Sequence, residues 1–212
     1  MEEYYRERAS EYDRFYHVPE RQDDLARLKE WLITRVRGRT ILEVAAGTGY
    51  WTEVAAGVAE AIVAIDINRE MLELAAKRPL GPHVTLLTAD AFALPEFAVT
   101  FDAGMAHLWW SHVERQRRQQ FLTRFVAHLK PQTLLLMIDQ NYVDGLSTPV
   151  SRQDEWGNQY TLRTLAGGTT FEIVKNYPRP GELQQGLESL CDDIDITQFT
   201  HFWALAARVR GR

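Results

Sequence analysis

The stretch ILEVAAGTGYWT, residues 41–52, passes from an apolar run through a turn of small residues into a new periodicity. A short apolar run that stops at glycine marks a buried parallel strand. After Ala45, Ala46, Gly47, Thr48 and Gly49 the pattern turns helical over residues 50–58. Small residues let a backbone approach a ligand closely. The helix that follows them offers N–H groups with no partner inside the helix.

Outward from this stretch the alternation repeats. Residues 61–66 (AIVAID), 83–88 (HVTLLT), 100–106 (TFDAGMA) and 133–139 (TLLLMID) read as four more buried strands. Helices are expected between them at 69–78, stopped by Pro79, and at 113–129. Strands alternating with helices imply a parallel sheet covered on both faces, with ligands bound beyond the carboxyl ends of the strands. Upstream, 2–16 and 20–37 read as two helices, the second with Leu25, Leu28, Leu32 and Val36 at helical spacing. Downstream, 159–165 and 169–177 read as a hairpin around Gly167 and Gly168. Residues 181–190 form a helix, and 196–209 a closing antiparallel pair. The segment 140–159 reads as a long loop.

Composition narrows the classes of partner. Of 212 residues, 24 are Lys or Arg and 29 Asp or Glu, a net charge of −5. An acidic balance disfavours nucleic acid, whose phosphates need a basic face. The basic cluster Arg115, Arg117 and Arg118 reads as the solvated face of a helix. One cysteine, Cys191, allows no disulfide within the chain and suits a reducing cytoplasm. No stretch approaches the roughly 18 apolar residues of a membrane span, and the N-terminus does not read as a signal peptide. The expectation is a cytoplasmic monomer or homodimer.

Three nucleotide-type turns compete for residues 45–49. A phosphate loop needs Gly-Lys followed by Ser or Thr, and no lysine stands here. A dinucleotide turn needs a third glycine where Thr52 stands. The remaining pattern is an acidic residue on the strand followed by small residues. Glu43, Ala45, Gly47 and Gly49, then Asp66 ending the second strand, then TADAF at 88–92 give it an order.

In these motifs the chain resembles the class I S-adenosylmethionine-dependent methyltransferases, with alanine at position 45 where the family has glycine. LKPQTLLLMID at 129–139 resembles the family's turn into its fifth strand, with Gln132 in place of glycine. The resemblance covers residues 39–139 well and the flanks loosely. It implies an α/β fold: a Rossmann-like, doubly wound, mostly parallel seven-stranded sheet, with N-terminal lid helices and a β-hairpin insertion after the fifth strand. It implies one domain, 1–212. Residues 1–38 form a helical lid, 39–139 the cofactor-binding core, 140–180 a loop and hairpin, and 181–212 a C-terminal helix with closing strands.

The cofactor implied is S-adenosylmethionine, leaving as S-adenosylhomocysteine. The residues implied around it are Glu43, Ala45, Gly47, Gly49, Thr52, Asp66, Ile67, Met71, Asp90, Ala91, Phe92 and Ala106. Asp66 would accept from the ribose hydroxyls, since a carboxylate serves two O–H donors at once. Asp90 would accept from the adenine amino group.

The expected reaction is methyl transfer to an oxygen or nitrogen of a small molecule. Its donor is already activated, so the enzyme mainly aligns the reactants and, where needed, removes a proton. His107, at the end of the fourth strand, is the candidate base. Tyr5, Tyr12, Trp109, Trp110, His112 and Tyr142 are candidate acceptor-pocket residues, and Arg152 and Lys175 are further polar residues of the insertion. No histidine pair has metal-ligand spacing, so no metal is expected. Rival readings are a nicotinamide-dependent oxidoreductase and a non-catalytic cofactor-binding module. The acidic balance and the lack of an amino-methylating motif after the fourth strand argue against methylation of nucleic acid or protein.

Overall fold

The turn at residues 45–49 is built on β1 (Thr40–Val44), which lies parallel between two strands of a computed structural model describing residues 2–211. Along the chain follow β2 (Ala61–Asp66), β3 (Val84–Thr88), β4 (Phe101–His107) and β5 (Leu129–Gln140). A separate antiparallel sheet comprises β6 (Val150–Gln153), β7 (Gln159–Thr164) and β8 (Thr170–Val174). Then β9 (Cys191–Gln198) and β10 (Phe202–Val209) complete the main sheet, whose order is β3-β2-β1-β4-β5-β10-β9. Only β10 runs against the rest. The chain leaves β1 toward β2 and β3, then crosses back to β4. The strand order therefore reverses at β1 and β4, and the crevice beyond their carboxyl ends is where a ligand belongs.

Successive strand residues face opposite sides of the sheet, and both faces carry a core. Phe202, Ala204 and Ala206 of β10 pack with α2 (Gln22–Val36) and α3 (Tyr50–Ala56). Trp203, Leu205 and Ala207 pack on the other side, where α5 (Arg118–Ala127) and α6 (Pro180–Leu187) add Phe121, Phe125, Leu183 and Leu187. On α2, Leu25, Leu28, Leu32 and Val36 are buried, as their spacing predicts. Each contributes about 1.5–3 kcal/mol relative to exposure. No described helix is long and apolar enough to cross a membrane.

Four expectations change. The N-terminal helix is α1 (Glu2–Arg8) and then a 3-10 helix over Ala9–His17. The expected helix 69–78 is α4 (Arg69–Ala75). The helix expected over 113–129 begins at Arg118, after 3-10 turns at Trp110–His112 and Arg115–Arg117. The loop 140–159 contains β6, so the hairpin is a three-stranded sheet. VSRQ is too short and too polar to show alternation, and it is recognised only through its pairing with β7.

The basic cluster is only in part a solvated face, with Arg117 exposed, Arg115 half-buried and Arg118 buried. Arg115 pairs with Glu182 at 3.3 Å, Arg117 lies 3.9 Å over the Phe92 ring, and Arg118 is buried over Trp110. Burial lowers Arg118 to about 10.

Candidate active site

The loop between β1 and α3 has a strained entry. Ala45 adopts φ 54°, the left-handed region that favours glycine. At Gly49 (φ 75°) a Cβ would stand 2.8 Å from the Cβ of Ala75, so the glycine lets the start of α3 close onto α4. Arg78, just beyond α4, ties the loop down. Its Nε donates to the Thr48 carbonyl at 2.6 Å, and its terminal nitrogens reach Glu53 and Asp13. Asp13 belongs to the N-terminal segment and also accepts from the Thr48 hydroxyl at 2.5 Å. The N-terminal helices are thereby fastened over the loop. Tyr5, Tyr12 and Tyr16 of these helices meet in T-shaped pairs, with ring centroids 6.0 and 6.3 Å apart.

Under this roof lies a cavity of about 300 Å³. Ala45, Gly47, Asp66, Ile67, Met71, Asp90, Ala91, Phe92, His107, Tyr5, Tyr12, Trp109 and His112 line it, thirteen of the sequence-based candidates. The Asp66 oxygens accept from the Gly47 and Asn68 amides, both at 2.8 Å. A carboxylate has about four acceptor sites, so Asp66 keeps capacity for a ligand hydroxyl beside these amides. Burial raises the Asp66 carboxyl, against the pull of those amides. Asp90 Oδ1 accepts from the Phe92 amide at 2.8 Å, and Oδ2 has no partner among the described residues. Ile67 is 42% exposed at the rim, an apolar side chain that a bound ring would cover. Two carboxylates with an apolar slot between them line one crevice, a donor-accepting and apolar surface of the kind a nucleoside could meet.

Other candidates stand back from this wall. Glu43 is buried and accepts from the Thr52 hydroxyl at 2.7 Å; together they brace the loop from beneath. Burial raises the Glu43 carboxyl to about 8, against the Thr52 hydrogen bond and with Asp66 adding to the rise. Gly49 serves packing, and Ala106 is buried in the core. Trp110 fills the core under Arg118, while Tyr142 lies exposed, edge-on to Tyr177. Asn68, Ala89, Leu108 and Arg117 also line the cavity and went unselected. The reversal of strand order at β4 was the available signal for Leu108, which is held at φ 53°.

A second cavity of about 260 Å³ shares Tyr5, Tyr12, Leu108 and His112 with the first. Its far wall comes from the N-terminal segment and the three-stranded sheet and includes Arg8, Arg21, Arg163 and Lys175. Arg152 stays outside, paired with Glu172. Lys175 is buried, 3.3 Å from Asp139 at the end of β5 and 2.7 Å from the Ser111 hydroxyl. Burial pushes Lys175 down, against the attraction of Asp139. Burial pushes Asp139 up, but Lys175, His112 and backbone amides more than offset it, leaving Asp139 below the usual range.

The two histidines differ. His107 packs edge-on to Trp51 at 5.5 Å, and neither of its ring nitrogens has a partner among the described residues. His112 Nδ1 lies 2.7 Å from the Val174 carbonyl, which only accepts, so Nδ1 carries the proton. Nε2 therefore accepts from the Tyr5 hydroxyl, at 2.8 Å. Burial lowers both histidines to about 3, so both are neutral at ordinary pH. Among the described residues no group of acidic, histidine or cysteine side chains is placed to hold a metal.

Residues 41–132 match the family model of a methyltransferase domain. No curated protein matches the chain. Among solved structures, a DhpI–SAH complex is 28% identical, covering 100% of this chain and 96% of that one, with a TM-score of 0.79. A DhpI–SAM–HEP complex is also 28% identical, covering 97% and 94%, with a TM-score of 0.79. The PH0226 protein from Pyrococcus horikoshii OT3 shares the fold at 17% identity, covering 94% and 99%, with a TM-score of 0.73. The methyltransferase domain over residues 41–132, the sheet order and the likeness to the two DhpI complexes support a class I S-adenosylmethionine-dependent methyltransferase.

Proposed function

We propose that the chain transfers a methyl group from S-adenosylmethionine to an oxygen or nitrogen atom of a small molecule. The observation that carries this reading is the junction of the two cavities at Tyr5, Tyr12, Leu108 and His112. One cavity suits the nucleoside, and the other leaves room for an acceptor of modest size. Bound in the first, the cofactor supplies an activated methyl: the acceptor's lone pair takes the methyl carbon while the C–S bonding pair stays on sulfur.

The chain's own residues do the rest. Asp66 and Asp90 hold sugar and base. Ile67, Met71 and Phe92 enclose the ring, and the tyrosine roof excludes water, which strengthens alignment of the reactants. The Tyr5–His112 pair is placed to pass on a proton where the attacking atom carries one, through the Tyr5 hydroxyl that donates to His112 Nε2 at 2.8 Å, and against the burial that lowers His112. His107 stands on the cofactor's side, where a polar ligand atom would relieve its unpartnered nitrogens. The rival nicotinamide reading is disfavoured by the missing third glycine, where Thr52 stands and donates to Glu43 beneath the loop. The only cysteine, Cys191, is buried and fits a cytoplasmic setting.

Calorimetry with S-adenosylhomocysteine tests the core of this reading. Saturable binding is expected, and no binding at ~1 mM overturns it. Release of S-adenosylhomocysteine on adding candidate acceptors then separates an enzyme from a module that merely binds the cofactor.

A further inference from the structure

Three guanidiniums line the second cavity, and no carboxylate lines it beside them. Arg8 donates to the Tyr4 hydroxyl at 2.8 Å, Arg21 to the Phe15 carbonyl at 3.0 Å, and Arg163 to the Thr148 hydroxyl. None of the three forms a salt bridge among the described residues. Each bond occupies one of a guanidinium's five N–H groups, and Arg163 Nε is buried without any partner. No Asp or Glu stands in the wall. The charge of Lys175 is already balanced by Asp139, and Arg14 is 3.7 Å from Glu11.

The remaining cations are close enough to disturb one another. Burial lowers Arg21, and Arg163 and, more weakly, Arg8 push it the same way, against Glu20 and Tyr177. In a chain of net charge −5, gathering like charges around an internal void opposes folding unless a ligand brings the compensating charge. Planar guanidinium forks match the oxygens of carboxylate and phosphate groups. A void of about 260 Å³ limits that ligand to a small molecule.

We infer that the methyl acceptor is a small molecule bearing an oxyanion of phosphate or carboxylate type, seated among Arg8, Arg21 and Arg163. The inference rests on the methyltransferase reading and gives that reading a substrate class. The anion lies against the side of Tyr5 and Tyr12 away from the nucleoside, so the same roof helix touches both reactants. The three-stranded insertion gains a role, for it delivers Arg163 on β7 and, just past β8, Lys175.

The test titrates inorganic phosphate and, separately, acetate into the wild-type protein saturated with S-adenosylhomocysteine. At least one anion is expected to saturate the protein below ~20 mM. Phosphate alone assigns a phosphate-type group, and acetate alone a carboxylate. Arg163→Gln and Arg21→Gln should each weaken the bound anion about tenfold or more. Neither residue touches the first cavity, so affinity for S-adenosylhomocysteine should stay within about twofold. If S-adenosylhomocysteine binds but neither anion does, or if neither substitution changes anion binding, the inference falls and the methyltransferase reading stands. If wild-type protein does not bind S-adenosylhomocysteine, both fall.

Discussion

Replacing Asp66 by alanine should weaken S-adenosylhomocysteine binding about a hundredfold. Both carboxylate oxygens already accept a backbone amide at 2.8 Å, so their charge is shared before any ligand arrives. Hydrogen bonds to charged groups contribute about 1.5–3 kcal/mol each. The low end applies here, and two ribose hydroxyls then lose about 3 kcal/mol, or roughly two decades in Kd. The substitution also strands the Gly47 and Asn68 amides, which would loosen the loop and weaken any ligand. Comparing adenosine with 2′,3′-dideoxyadenosine separates the two effects. Calorimetry should show the wild type preferring adenosine and Asp66→Ala binding both about equally. A variant within about threefold of the wild type, or one that keeps the full preference for adenosine, refutes the ribose contact.

Glu43 holds a proton in the folded state up to about pH 8, whereas its ordinary value is 4.5. Folding therefore binds a proton between those values, and stability should fall as pH rises through that window by up to a few kcal/mol, at ~1.4 kcal/mol per unit. Glu43→Gln should flatten this slope in urea titrations at pH 6 and about pH 8.5; an unchanged slope contradicts the assignment. Lys175→Met strands the buried Asp139 carboxylate and should cost about 3–5 kcal/mol by chemical denaturation. Ala45→Gly relieves the left-handed strain and should leave stability unchanged or raise it by up to ~1 kcal/mol, whereas Ala45→Val should lower it. His112→Ala should lower kcat about a hundredfold or more while S-adenosylhomocysteine affinity is nearly kept, provided the acceptor atom carries a proton; a full kcat would remove His112 from the chemistry.

The half of the molecule that forms the first cavity was legible because its signals are local. A buried strand, a turn of small residues and an aspartate at the next strand end each declare themselves within a few residues. Glu43 and Thr52 belong to the same motif yet face one another under the loop, a direction the sequence does not encode. The acceptor side was mostly illegible. Arg8, Arg21 and Arg163 lie far apart in the chain, and each looks like an ordinary surface arginine until the insertion packs against the N-terminal segment, with the ring of Phe171 on β8 centred 5.7 Å from that of Tyr4. The distinction between His107 and His112 depends on one carbonyl, Val174, that only the folded sheet brings near.

Arg78 grips floor and roof together: the Thr48 carbonyl below and the Asp13 carboxylate above. Lifting the roof off the crevice would have to break the ion pair to Asp13, so cofactor loading and release are expected to quicken as ionic strength rises, which stopped-flow binding at low and high salt would check.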